Sequence, residues 1–329
     1  MKILSTAFHP DFPAWHFPDW CVEEITSVFP DTEFVKLTTT DRILDEIRDA
    51  DVLFAWKLTD QAFHAARKLK WIHTGMAGMT WLLIPPVVKS DVLVSNSRGV
   101  HANIMGEHAM ALILAFSRRL HDCLDFQRKA VWGRTEIYNR VPSFEELDGK
   151  TIGILGFGSI GVEIARRARC FGMRVVGFKR DTSRHHELAD VLHTPDRLDD
   201  ILPEIDYLVI AAPLTPETEN MIGPDQFQKM KPTSVLINLA RGEIVDQEAL
   251  METLEEDRIA GAGLDVFVPD PLPAGHPLFT TKNVILTPHI AGTDPKLWRR
   301  VTDLFVENIH RFRNGRTLIN QVEDKSKGY

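Results

Sequence analysis

Apolar residues in this chain fall in short β-branched and aromatic runs. Between those runs lie stretches whose apolar positions recur every three or four residues. That alternation predicts strand, helix, strand, and therefore an α/β fold on parallel sheets. Strands are expected at 2–7, 33–37, 52–56, 71–74 and 92–96. A helix is expected over 106–120, where Ala109, Leu112, Ile113, Phe116 and Leu120 form one apolar stripe. After a turn at Asp148-Gly149-Lys150, a second series follows at 151–155, 174–178, 207–211, 235–239, 261–264 and 284–286. These runs are continuously apolar, as strands covered on both faces must be. A closing helix is expected over 295–313. The pattern describes two doubly wound domains. Residues 1–100 and 293–329 make one, and residues 101–292, inserted in it, make the other.

Composition narrows the classes. A chain of 329 residues exceeds what one ordinary core fills. Its 44% hydrophobic and 26% charged residues are those of a soluble globular protein. No apolar run approaches the roughly 20 residues of a membrane span. The formal net charge of -8 argues against nucleic acid or an anionic membrane as partner. Arg166-Arg167 and Arg299-Arg300 are too short to act as basic patches. Cys21, Cys123 and Cys170 form no CxxC pair and are read as reduced thiols of a cytoplasmic protein, with Cys170 a small buried hydrophobe. No metal is expected.

The first candidate chemistry is a glycine loop. Gly156-Phe157-Gly158-Ser159-Ile160-Gly161 lies between the strand at 151–155 and a helical run from Val162. This is GxGxxG at a strand-to-helix turn, the setting of a Rossmann dinucleotide site. Gly156 permits the turn, Gly158 lets a diphosphate approach the backbone, and Gly161 lets helix and strand pack closely. Helix N–H groups then stabilise the phosphate charge. The next strand ends at Lys179-Arg180, where an acid would favour NAD. Two cations suit the 2′-phosphate of NADP, so NADP is the preferred cofactor, with NAD possible. Asp181, one residue later, is the alternative reading as a displaced acid.

Further chemistry collects at strand ends, where open α/β sheets bind ligands. Asn238-Leu239-Ala240-Arg241-Gly242 offers a guanidinium for a carboxylate, the acid Asp265 ends the strand within 261–267, and Thr287-Pro288-His289 offers a proton carrier. On the other half, Gly75-Met76-Ala77-Gly78-Met79 is a glycine-rich turn whose amides could bind a carboxylate. Aromatic residues crowd positions 8–20, and with Trp56 and Trp298 they could wall an apolar pocket or serve as core.

Together these segments resemble the D-isomer-specific 2-hydroxyacid dehydrogenases, of the glyoxylate/hydroxypyruvate reductase-like kind. The resemblance rests on the glycine loop, Ala212–Thr218, Asn238–Asp246, Gly263–Phe267, Thr287–Gly292 and Gly106-Glu107-His108-Ala109. It implies a flavodoxin-like substrate domain beside the Rossmann domain, and reversible reduction of 2-oxo acids to D-2-hydroxy acids. It implies a catalytic Arg241, Asp270 and His289, with Arg241 binding the substrate carboxylate and His289 donating the proton. It implies cofactor contacts from Pro213, Thr218, Leu239, Ala240, Asp265 and Gly292, and substrate contacts from Ala77 and Gly78. The family places Glu where this chain has Asp270. An arm shorter by about 1.5 Å predicts looser or water-bridged pairing with His289. In the family the region of the 106–120 helix forms a dimer interface, which implies a homodimer. The competing reading is a nicotinamide-sensing co-regulator of the same fold without significant turnover.

Overall fold

The computed structural model describes residues 1–10, 12–79, 81–140, 144–183 and 186–326. The chain divides into two compact units, Met1–Val100 with Asp294–Tyr329, and His101–Thr293.

The first unit carries five parallel strands: β1 (Lys2–Ser5), β2 (Glu33–Lys36), β3 (Val52–Phe54), β4 (Trp71–Thr74) and β5 (Leu93–Asn96). Their order is β2-β1-β3-β4-β5, the flavodoxin-like doubly wound arrangement. Adjacent strand residues face opposite cores. Ile3, Val52, Phe54 and Trp71 pack with Val301, Phe305 and Ile309 of the helix Leu297–Arg313. Leu4, Leu53, Ile72 and Val94 pack with Ile47, Ala62 and Val87 on the other face.

The second unit carries β6 (Thr151–Leu155), β7 (Arg174–Phe178), β8 (Val191–His193), β9 (Tyr207–Ile210), β10 (Val235–Asn238), β11 (Gly261–Leu264) and β12 (Val284–Leu286). All pair in parallel in the order β12-β11-β10-β9-β6-β7-β8, a Rossmann sheet with one added edge strand. The order reverses between β6 and β9, which puts the loop after β6 at the switch point where such sheets bind ligands. Leu208 and Ile210 face one core, and Tyr207 and Val209 the other, which is why these strands read as unbroken apolar runs.

Three expectations need correction. The helix expected over 106–120 runs instead from Ala102 to Ser117, and a separate helix covers Leu120–Arg128. Arg119 breaks it with a left-handed φ of 56°. Its buried side chain pairs with Asp122 at 3.0 Å, a local i,i+3 ion pair that spans the break into the next helix. The stripe therefore ends at Phe116, and Leu120 is exposed. Ala109, Leu112, Ile113 and Phe116 pack into this unit's own core rather than lying free for a dimer. The edge strand β8 was not expected, because three half-buried residues carry little periodic signal. Cys170 is exposed, not buried. The helix Ser159–Cys170 buries Gly161, Ile164, Ala165 and Ala168, and a residue two beyond Ala168 turns to solvent. Of the remaining strands, those at 71–74, 151–155, 174–178, 261–264 and 284–286 have the expected bounds, and the others are shorter by one or two residues. Among the described residues no helix is long and apolar enough to cross a membrane.

Candidate active site

The glycine loop has the geometry its three glycines require. Gly156 has φ of +98°, and a Cβ there would collide with the backbone of Ala212 after β9. A Cβ on Gly161 would collide with the carbonyl of Gly156, so only glycine lets the helix start this close to the loop. Gly158 differs. A Cβ there would meet nothing within 4 Å, so its lack of a side chain answers no internal packing need. That is the cradle a diphosphate fits, beside the first turn of the helix Ser159–Cys170. Phe157 is buried against Gly177, Ile160 is half-buried, and Ser159 is exposed at the helix start.

Lys179 and Arg180 follow β7, with Lys179 N–H donating to His193 O at 3.0 Å. The carboxylate of Asp181 accepts from Ser183 N–H at 2.9 Å and so closes a local turn. Thr218 closes another: its Oγ1 donates to Pro213 O at 2.8 Å and accepts from Thr215 N–H at 2.8 Å.

Three strand ends carry the acid–base residues, and backbone contacts join them. After β10, buried Asn238 accepts from Ala240 N–H at 3.1 Å and donates to Arg241 O at 2.9 Å. Its neighbour Leu239 is buried, with its N–H on Ile210 O. The exposed Arg241 guanidinium donates once to Ala240 O at 2.6 Å, which leaves other donors of its fork for an anion. Gly242 presses so closely on Phe267 that a Cβ would collide with the Phe267 carbonyl.

After β11, Asp265 is 1% exposed and works on the loop after β12. Its Oδ1 accepts from Thr287 Oγ1 at 2.6 Å and Ile290 N–H at 2.9 Å, and its Oδ2 from Ala291 N–H at 2.9 Å. The Thr287 hydroxyl proton is thereby spent, so His108 Nε2, 3.1 Å away, must be the donor to Thr287. Burial holds His108 below the usual imidazole range, against the opposing pull of Asp265. At the end of this loop Gly292 O accepts from His101 Nδ1 at 3.2 Å.

His289 sits inside that pinned loop with φ of +54° and its N–H on Thr287 O. Its Nδ1 meets Asp270 Oδ2 at 2.6 Å. The looser or water-bridged pairing expected of the shorter aspartate is not what forms. The backbone of 268–270 lies close enough for direct contact. Half of the His289 side chain is exposed, and Nε2 is the nitrogen left for a substrate.

The turn of the first unit is described separately. Asn96 Nδ2 donates to Ala77 O at 2.8 Å and Ser97 N–H to Met76 O at 2.9 Å. Among the described residues no acceptor meets the N–H of Ala77 or Gly78, and both residues are exposed. Trp56 covers Gly75, where a Cβ would stand 2.7 Å from the indole. Trp15 and Trp298 pack on Trp56, while Phe17 is core.

Sequence reading missed Asn238, His108, Thr287 and Gln247 as parts of the frame. The first three stand inside quoted motifs. The partners of His108 and Gln247 lie 179 and 21 residues away, beyond any periodic signal.

Comparison with known proteins identifies the relatives of this chain. Residues 110–291 match the family model described as D-isomer specific 2-hydroxyacid dehydrogenase, NAD binding domain. A glyoxylate reductase of Thermococcus gammatolerans is 37% identical over 298 residues, covering 87% of this chain and 88% of the relative. One of Thermococcus kodakarensis is 38% identical over 288 residues, covering 85% and 86%. An NADPH-dependent glyoxylate/hydroxypyruvate reductase from Sinorhizobium meliloti, solved with NADP and sulfate, aligns at a TM-score of 0.83 with 26% identity, covering 100% of this chain and 99% of that one.

Proposed function

The chain belongs to the D-isomer specific 2-hydroxyacid dehydrogenase family and is an NAD(P)-dependent oxidoreductase that reduces 2-oxo acids; from that premise we propose which residues do the chemistry. A bound nicotinamide supplies the hydride that reduces C2. His289 Nε2 gives a proton to the carbonyl oxygen as it gains charge, and takes it back in the oxidative direction. Asp270 stabilises the imidazolium and fixes its tautomer through the 2.6 Å contact at Nδ1, the observation that carries this reading. Arg241 pairs with the substrate carboxylate and polarises the carbonyl. Ala77 and Gly78 offer further N–H donors to a carboxylate.

Gly156, Phe157, Gly158, Ser159, Ile160 and Gly161 bind the diphosphate, and Lys179 and Arg180 bind the 2′-phosphate of NADP, the preferred cofactor over NAD. Pro213, Thr218, Leu239, Ala240 and Gly292 line the nucleotide. Asp265, besides anchoring the His289 loop, has lone-pair capacity left for a carboxamide donor. The co-regulator reading is not favoured, because the matched relatives are reductases.

Two finer readings go with this. The enzyme works as a homodimer, and Leu120, Leu124, Val131, Tyr138 and the 89% exposed Trp132 supply the apolar surface for it. It works in the cytoplasm, in keeping with three unpaired cysteines. A panel of glyoxylate, hydroxypyruvate and pyruvate with NADPH and NADH tests the activity. Turnover in the range of about 1–1000 per second is expected, and none on any 2-oxo acid would sink the proposal.

A further inference from the structure

We propose that Gln247 is a positioning residue for the Asp270–His289 pair, acting by clamping the backbone of Val268. The inference rests on reading that pair as the proton-transfer couple.

Gln247 opens the helix Gln247–Glu255, whose N-cap, Asp246, accepts from Ala249 N–H at 3.0 Å. The side chain of Gln247 is thereby aimed from a fixed helix start. Its Oε1 accepts from Val268 N–H at 3.0 Å, and its Nε2 donates to Val268 O at 2.6 Å. A primary amide is the one uncharged side-chain group that answers an N–H and a C=O of the same residue at once. Only one orientation of the amide satisfies both.

The segment it grips has little else to hold it. Val268, Pro269 and Asp270 are exposed, so burial does not fix them. Among the described residues, the hydrogen bonds tying Val268, Pro269 and Asp270 to the rest of the unit come from Gln247 and His289. Leu272 adds partial apolar packing further on. Upstream, Phe267 is buried and pressed by Gly242. The clamp at Val268 is therefore the last fixed point before Asp270, two residues on. An aspartate lacks the reach to compensate for a displaced backbone, so its contact with His289 depends on where Val268 is held.

Two variants and a double-mutant cycle test this. Gln247→Leu keeps the volume and removes both bonds, while Gln247→Glu keeps the acceptor but loses the donor to Val268 O. Gln247→Leu is expected to lower kcat about tenfold, with KM and the NADPH dissociation constant within about twofold, and Gln247→Glu to fall between it and wild type. A fall in kcat with KM and cofactor affinity unmoved, partly restored in Gln247→Glu, is an effect a general loss of stability would not produce. In an Asp270→Asn background, adding Gln247→Leu should change kcat less than about twofold, because the two act through one contact. Wild-type kcat in both Gln247 variants overturns the inference, as does a full additive loss in the Asp270→Asn background. If Asp270→Asn itself turns over normally, the proton-couple reading fails instead, so the two failures are told apart.

Discussion

Asp265 Oδ2 and Ala291 N–H stand 2.9 Å apart, and that bond, with its partners at Ile290 and Thr287, fixes the loop that presents His289. A buried carboxylate tolerates such a place only if its oxygens are met by donors. Here the donors are the amides that follow His289, so the stability of the strand end and the aim of the imidazole come from the same bonds. The left-handed φ of His289 is held by this arrangement.

The glycine loop separates packing from binding. Gly156→Ala places a Cβ against Ala212 at a φ of +98°, and should lower stability by at least about 1 kcal/mol. Gly158→Ala meets no protein atom within 4 Å, so its melting temperature should stay within about 2 °C of wild type while NADPH affinity falls at least about tenfold. Thermal melts and cofactor titration of both variants check this pair of outcomes.

The proposed reading gives the cofactor preference to Lys179 and Arg180. Replacing both with alanine should weaken NADPH about 10–100-fold and leave NADH within about threefold, in line with the worth of charge-assisted bonds to a phosphate. Steady-state kinetics with each cofactor reads the ratio. A wild-type preference of about a hundredfold for NADH would contradict this role.

His73 gives the first unit a pH-dependent stability. Trp71 Nε1–H donates to Ser95 Oγ, Ser95 stands 2.7 Å from His73 Nδ1, and His73 Nε2 stands 3.2 Å from Ser97 Oγ, which donates to Thr74 O. The Ser97 bonds require a proton on Nε2, and burial pushes the ring's pKa down to about 3 from 6.5, so the ring is neutral with Nδ1 accepting from Ser95 Oγ. The unfolded chain thus binds one proton more between those values, so stability falls as pH drops from about 6.5 toward about 3, by up to about 1.4 kcal/mol per unit. His73→Gln should show a shallower slope over that window in denaturant unfolding. An unchanged slope would exclude His73 as its source.

The sequence made much of this legible because burial leaves local marks. Strands covered on both faces, such as Thr151–Leu155, announce themselves as unbroken apolar runs, and Gly156, Gly158 and Gly161 carry a spacing with few other uses. What stayed hidden leaves no periodic mark. Arg118-Arg119 reads as continuing helix, yet Arg119 turns left-handed and is buried beside Asp122, three residues on. The closeness of Asp270 to His289 depends on how Gln247 holds Val268, and arm length alone pointed the other way.

The most direct test of the account is single-turnover reduction of glyoxylate by His289→Gln with saturating NADPH. The account predicts a fall in rate of about 10²–10⁴-fold, with the NADPH dissociation constant within about twofold of wild type. A rate within about threefold of wild type would contradict it.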